Sequence, residues 1–262
     1  MSEADYTPIE IMTIAAARRL KNGIVCFVGI GLPSAAANLA RITHAPGLVL
    51  IYESGTIGAK PDVLPLSIGD GELAETADTV VSVPEIFRYW LQGGRVDIGF
   101  LGAAQIDTFG NINTTVIGPY NAPRVRLPGA GGAPEIATAA KEVAIILKQS
   151  KRAFVEKLDF VTSSGYYPGS TGNGKKATHG RGPTTVITDL GIMKSDPATR
   201  ELVLTAVHPG VRVEQVKDAT GWQLKVAPEL ETTPRPALNE LLALRDLHAR
   251  TAAAHGSAAA SE

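Results

Sequence analysis

Apolar residues fall along this chain in short bursts separated by glycine and proline, and the spacing within the bursts alternates between helical and extended. Ile11, Ile14, Ala15 and the aliphatic stem of Arg18 recur three to four residues apart. That spacing predicts a helix over Ile9 to Leu20, stopped by Asn22-Gly23. Ile24 to Ile30 is a continuous apolar, β-rich run, as in a strand covered on both faces. Helical character resumes from Ala35 to Ile42, and Leu48 to Tyr52 is a second buried strand that ends abruptly at Glu53-Ser54-Gly55. The same grammar predicts a strand over Thr79 to Ser82, a helix over Pro84 to Gln92 closed by Gly93-Gly94, and a strand over Val96 to Leu101. A helix from Glu135 to Ala140 follows a glycine-rich turn. Strands are expected at Val143 to Leu147, Phe154 to Val161, Thr185 to Asp189 and Leu202 to Val207, and Leu238 to His248 is a last amphipathic helix.

Strands alternating with helices across short linkers argue for an α/β protein built on an open, largely parallel sheet. The chain has 262 residues, enough to bury a proper core. No internal repeat or linker breaks it, so residues 1–250 are expected to form a single domain. The Ala/Ser-rich stretch from Thr251 to Glu262 is expected to fray. Pro168 to Gly182 reads as a surface loop carrying Lys175, Lys176, His179 and Arg181.

Composition narrows the function classes. A net charge of -1 gives no electrostatic case for nucleic acid or an anionic membrane. The single cysteine, Cys26, excludes an internal disulfide framework and a multi-thiolate metal site, and as a mid-strand residue it reads as an inert buried thiol. No stretch approaches a membrane span, and Met1 to Ile11 does not read as a signal peptide. A cytoplasmic protein is expected.

Ligands of open α/β sheets bind beyond the carboxyl ends of the strands, and three loops qualify. At Glu53-Ser54-Gly55 a carboxylate is carried on a buried strand, where it can serve as base or as covalent nucleophile; a plain turn acid is the alternative. Gly29-Ile30-Gly31 lets backbone approach a ligand, but it lacks the third glycine of a dinucleotide fingerprint and equally suits a tight turn. Gly129-Ala130-Gly131-Gly132 precedes a helix and suits a nest of amides for an oxyanion or phosphate, or a flexible crossover. The histidines have no metal-ligand spacing, so no metal is expected. His208-Pro209-Gly210 reads as a structural corner, and Ser163-Ser164-Gly165 does not match a serine-hydrolase elbow.

Taken together, these loops stop looking independent. Glu53-Ser54-Gly55 after an apolar strand, Gly102-Ala103-Ala104-Gln105-Ile106-Asp107 with Phe109-Gly110-Asn111-Ile112-Asn113, Gly129-Ala130-Gly131-Gly132-Ala133 and Thr205-Ala206-Val207-His208-Pro209-Gly210 follow in a set order. In order and spacing, along nearly the whole chain, they resemble the β subunits of family I coenzyme A transferases, in the glutaconate CoA-transferase-like branch. The resemblance implies a three-layer α/β/α fold. It implies transfer of CoA from succinyl-CoA to 3-oxoadipate in the degradation of aromatic compounds, by a ping-pong route through a glutamyl-CoA thioester. The catalytic glutamate of the family falls on Glu53, the loop beside the thioester on Gly129, Gly131 and Gly132, and the first loop on Gly29 and Gly31. Ser54, Gly55, Gln105 and Asn113 are further pocket candidates.

A CoA thioester would be the substrate, with no permanently bound cofactor. A homologous α subunit would complete the enzyme as a heterodimer or α2β2 heterotetramer. A dicarboxylic substrate needs a cation near its distal carboxylate, for which Lys60, Arg88, Arg124 and Arg126 are candidates. Three other readings stand beside this one: transfer to another dicarboxylate such as glutaconate, a CoA-thioester or ring-opening hydrolase on the same fold, and a non-enzymatic acyl-CoA or sugar sensor. Related hydrolases lack the glutamate, and no helix-turn-helix or basic patch supports a regulator.

Overall fold

The protein is described from a computed structural model covering residues 5–166 and 182–256. Helix α1 (Pro8–Ala17) starts where the chain supplies every local signal for it. Thr7 caps the Glu10 amide, the Glu10 carboxylate returns to the Thr7 amide, and Pro8 occupies the first turn. Strand β1 (Val25–Val28) leads through Gly31 into α2 (Leu32–Thr43), which returns to β2 (Val49–Ile51). Two short strands, β3 (Thr56–Ile57) and β4 (Thr79–Val80), flank a short helix, α3 (Gly71–Glu75). The turn α4 (Val83–Glu85) runs into a π-helical segment, Ile86–Leu91, and then strand β5 (Ile98–Leu101).

Two small hairpins follow, β6 (Gln105–Ile106) with β7 (Ile112–Asn113), and β8 (Val116–Ile117) with β9 (Val125–Arg126). Helix α5 (Ala133–Ala139) and strand β10 (Glu142–Ile146) come next. The chain ends with β11 (Pro183–Ile187), β12 (Gly191–Ser195), β13 (Leu202–Val207), α6 (Val213–Asp218), β14 (Lys225–Thr232) and α7 (Leu238–His255).

Ten strands form one sheet in the order β14-β13-β12-β11-β10-β5-β1-β2-β3-β4. The five central strands, β11-β10-β5-β1-β2, are mutually parallel, and antiparallel pairs appear only toward the edges. The open, largely parallel α/β sheet expected from the sequence is what is observed. The period of two sorts the central side chains between two cores. Cys26, Val28, Leu50, Tyr52, Ala144 and Ile146 point into one layer with α1, α2 and α7. Phe27, Ile51, Val143 and Ile145 point into the other, with Ile86 and the α5 residues Ile136 and Ala137. Strand order reverses beside β1, because β2 lies on one side of it and β5 on the other; such a reversal opens a crevice at the strand ends.

Some local expectations fail for physical reasons. Phe154 to Val161 is not a strand: Phe154 makes one isolated bridge to Ile106 and stacks on Trp222. Lys157 and Val161 are exposed, so the run lacks the second partner strand that would hold it extended. The helix expected over Pro84 to Gln92 is split into α4 and the π-helical segment. The final helix continues beyond His248 to His255. Thr251 there is buried, donates to the Leu247 carbonyl and accepts from the Leu64 amide, which holds the added turns against the loop before α3. Residues 257–262 of the expected tail and 168–181 of the expected loop lie outside the described residues. No described helix is long and apolar enough to cross a membrane.

Candidate active site

Glu53 leaves the sheet two residues beyond β2, in a turn closed by two backbone bonds to Tyr52. The Gly55 amide donates to the Tyr52 carbonyl at 3.0 Å, and the Tyr52 amide donates to the Thr56 carbonyl at 3.1 Å. Gly55 has φ of +97°, and a Cβ there would fall on the Val81 carbonyl oxygen, so only glycine closes this corner. Alternation along the strand sends Tyr52 into the α1/α2 layer and leaves Glu53 on the side of Ile51 and Phe27, where α5 begins.

The glycine loop before α5 meets the carboxylate there. The Gly132 amide donates to Glu53 Oε1 at 3.0 Å. A Cβ on Gly132 would come within 2.9 Å of that oxygen and 2.7 Å of Phe87 Cε1, so the loop needs glycine to pass between acid and ring. Phe87, from the π-helical segment, packs against Phe27 with ring centroids 5.6 Å apart. Burial and one amide donor set the acidity of Glu53. Burial pushes its carboxyl above the ordinary value of 4.5, and the Gly132 hydrogen bond offsets part of that. The arrangement holds a single, partly desolvated carboxylate with one oxygen fixed, the disposition of a nucleophile.

Similarity to known proteins agrees with this chemistry. A family model described as Coenzyme A transferase matches residues 9–219. The chain belongs to the coenzyme A transferase family. It is 65% identical over 257 residues to a 3-oxoadipate CoA-transferase subunit of Pseudomonas knackmussii, covering 98% of this chain and 99% of that one. It is 38% identical to a glutaconate CoA-transferase subunit of Acidaminococcus fermentans, covering 91% of each. The crystal structure of glutaconate coenzyme A-transferase from the same organism superposes with a TM-score of 0.83 at 33% identity, over 92% of this chain and 94% of that one. CoA thioesters are the substrates of this family.

Within this CoA-transferase chain the other candidate residues separate by role. Contrary to expectation, the amides of Gly29 and Gly129 are not available to an oxyanion: Gly29 donates to the Phe100 carbonyl at 3.1 Å and Gly129 to the Thr114 carbonyl at 2.8 Å. Gly31 and Gly131 remain, both exposed, with amides that find no acceptor among the described residues. Gln105 and Asn113 are not free pocket groups either. Asn113 Nδ2 donates to Gln105 Oε1 and to the Val116 carbonyl, both at 2.7 Å, and Gln105 Nε2 donates to Asp159. Their amides brace the β6–β7 hairpin, and Thr114 next to it holds the Gly129 carbonyl at 2.7 Å. The Ser54 hydroxyl is buried with no partner among the described residues.

Of the candidate cations, Lys60 pairs with Asp78, and Arg126 lies over the Tyr120 ring and donates to its carbonyl. Arg88 and Arg124 are exposed. His208 is buried between Thr233 and the Thr188 carbonyl, and burial lowers its pKa. Cys26 is fully buried and its thiol is pushed up by burial. Among the described residues no three His, Cys, Asp or Glu side chains converge to hold a metal. Two residues of the site, Phe87 and Tyr52, do not emerge from sequence reasoning. A signal for Tyr52 is present, one aromatic before the glutamate on the opposite face of the strand; Phe87 gives none, because a π-helix has no distinctive spacing.

Proposed function

We propose that this chain is the β subunit of a CoA-transferase that moves CoA from succinyl-CoA to 3-oxoadipate, with Glu53 as the covalent carrier. The observation that carries the reading is the Glu53 carboxylate, half-buried at the end of β2 and held on one oxygen by the Gly132 amide. The substrate pair follows the 65% identity to a 3-oxoadipate CoA-transferase chain. A homologous α subunit completes the enzyme.

The chemistry follows from the geometry. A Glu53 carboxylate oxygen attacks the thioester carbonyl, and the resulting tetrahedral oxyanion needs amide donors, for which Gly131, beside Glu53, and Gly31 are the candidates. Collapse expels CoA thiolate and leaves a mixed anhydride between the acyl group and Glu53. The thiolate then attacks the glutamyl carbonyl, releasing succinate and leaving CoA as a thioester on Glu53. In that intermediate the Gly132 N–H points at the oxygen that becomes negative whenever the glutamyl carbon is attacked, so one amide serves each addition at that carbon. The acceptor carboxylate attacks next, forming a second anhydride and freeing thiolate. The thiolate takes the acceptor's acyl group and restores the Glu53 carboxylate.

A carboxylate is a weak nucleophile, so CoA binding energy and orientation supply much of the rate. Phe87, packed at Gly132 beside the carboxylate, helps keep water from the anhydride, which water would hydrolyse. Incubating the assembled enzyme with succinyl-CoA, trapping with borohydride and mapping the modified peptide tests the reading. A label on Glu53 is expected, with transfer present only when both subunits are mixed; a label elsewhere, or transfer by this chain alone, rejects it.

A further inference from the structure

The turn that carries Glu53 is built on Tyr52. Both backbone bonds that close it use the Tyr52 amide and carbonyl. The Tyr52 side chain is fully buried on the opposite face of the sheet, in the layer with α1 and α2. There its hydroxyl lies 3.4 Å from Ser34 Oγ and accepts from Asn38 Nδ2 at 3.3 Å, while Asn38 also reaches Ser34 Oγ at 3.3 Å. Phenol, hydroxyl and amide thus close a polar triangle, with Ser34 1% exposed and Asn38 0% exposed, in an otherwise largely apolar layer. The Asn38 carbonyl oxygen has no partner among the described residues, a cost that apolar side chains of similar size avoid. Such a group makes sense where it fixes a register that greasy packing leaves loose.

The register it fixes lies between two parts of the site. Ser34 stands in the first turn of α2, whose N-terminal cap is Gly31. Tyr52 is the residue before the carboxylate. The triangle therefore ties the glutamate turn to the loop whose exposed amide is available for the oxyanion. We propose that Tyr52 is a positioning residue of the transferase: its phenol, held by Ser34 and Asn38, sets the distance between Glu53 and the Gly31 loop. This rests on Glu53 being the acyl carrier. Near-attack geometry is demanding enough that a displacement of about 1 Å costs on the order of a hundredfold in rate.

The test compares Tyr52→Phe, Ser34→Ala and the double variant, each co-expressed with the α subunit. The readouts are kcat, the KM for acyl-CoA, the thermal midpoint and the single-turnover rate of label appearing on Glu53. Each single variant is expected to lose about tenfold in kcat and in the labelling rate, while KM stays within about twofold. The double variant is expected to be no slower than Tyr52→Phe, because Ser34 acts on the turn only through the phenol. Unchanged kcat with a lowered thermal midpoint, a parallel rise in KM, or losses that multiply in the double variant overturns the assignment. If Tyr52→Phe does not fold, Ser34→Ala alone decides on the same readouts. Labelling of the unaltered enzyme is measured alongside: no label on Glu53 there rejects the carrier reading, and so separates that failure from a failure of the positioning role.

Discussion

Glu53 pays for its reactivity in stability. Its folded-state pKa is raised above the ordinary 4.5, first by burial, with the Gly132 amide opposing. For an acid shifted upward, folding favours the protonated form, so the contribution is favourable below the unfolded value and is lost as pH rises through the folded one. At neutral pH the ionised side chain therefore strains the fold. Glu53→Gln keeps an oxygen for the Gly132 amide and removes the charge. It is expected to raise the thermal midpoint at pH 7.5, with the gain shrinking toward pH 4.5, while transfer falls on the order of 10³-fold, about 4 kcal/mol of barrier. A midpoint that drops at both pH values contradicts the burial argument, and retained transfer contradicts the mechanism. The same shift places the acid limb of kcat/KM above 4.5, since the attacking form is the carboxylate; a limb at or below that value in a pH-rate profile contradicts it.

At the scale of elements, the site is an encounter between a hairpin turn, a glycine loop and a π-helical segment. Gly132→Ala drives a methyl group against Phe87 and within 2.9 Å of Glu53 Oε1. The ring or the loop must yield, costing about 1–3 kcal/mol of stability and about tenfold or more in transfer. Adding Phe87→Leu makes room, so the double variant should recover part of both losses in urea unfolding and in rate; no recovery means the loop itself was displaced. The brace behind the loop predicts differently. Asn113→Ala strands the Val116 carbonyl and the amides of Thr115 and Val116, all now satisfied by one buried side chain. A loss of about 2 kcal/mol or more is expected from the urea midpoint. The turn and the glycine loop are legible in the sequence because charge and glycine density stand out at strand ends. The brace is not, since Gln105 and Asn113 look alike from sequence whether they face a ligand or each other. The π-helical segment reads as an ordinary amphipathic helix.

For the whole molecule, the central parallel strands are legible because strands buried on both faces read as unbroken apolar runs. The edges are not: β14 is mostly exposed and interrupted by Pro228, so it carries neither apolar run nor clean alternation. The outer helices are joined by charge, which no local pattern reveals. Arg18, at the C-terminal cap of α1, grips Glu240 of α7 with bonds of 2.8 and 2.5 Å, and Arg245 of α7 grips Glu10 of α1 at 2.6 and 3.2 Å. Hydrogen bonds from Arg245 hold the Glu10 carboxyl below the ordinary value; burial alone would raise Glu240, and Arg18 with the Ala237 amide more than offsets it. Both folded pKa values are lowered, so their contribution is present above the unfolded value near 4.5 and disappears as pH falls through the folded ones. Glu240→Gln should then cost about 1 kcal/mol at pH 7, or about 2–4 °C in thermal midpoint. That cost should vanish as pH falls through the lowered folded value, where the native carboxylate is itself protonated. The difference has the opposite sign to that of Glu53→Gln at pH 7, and both converge on the unaltered protein in acid. A Glu240→Gln penalty that persists unchanged at low pH would assign the α1–α7 contact to packing rather than to the ion pair.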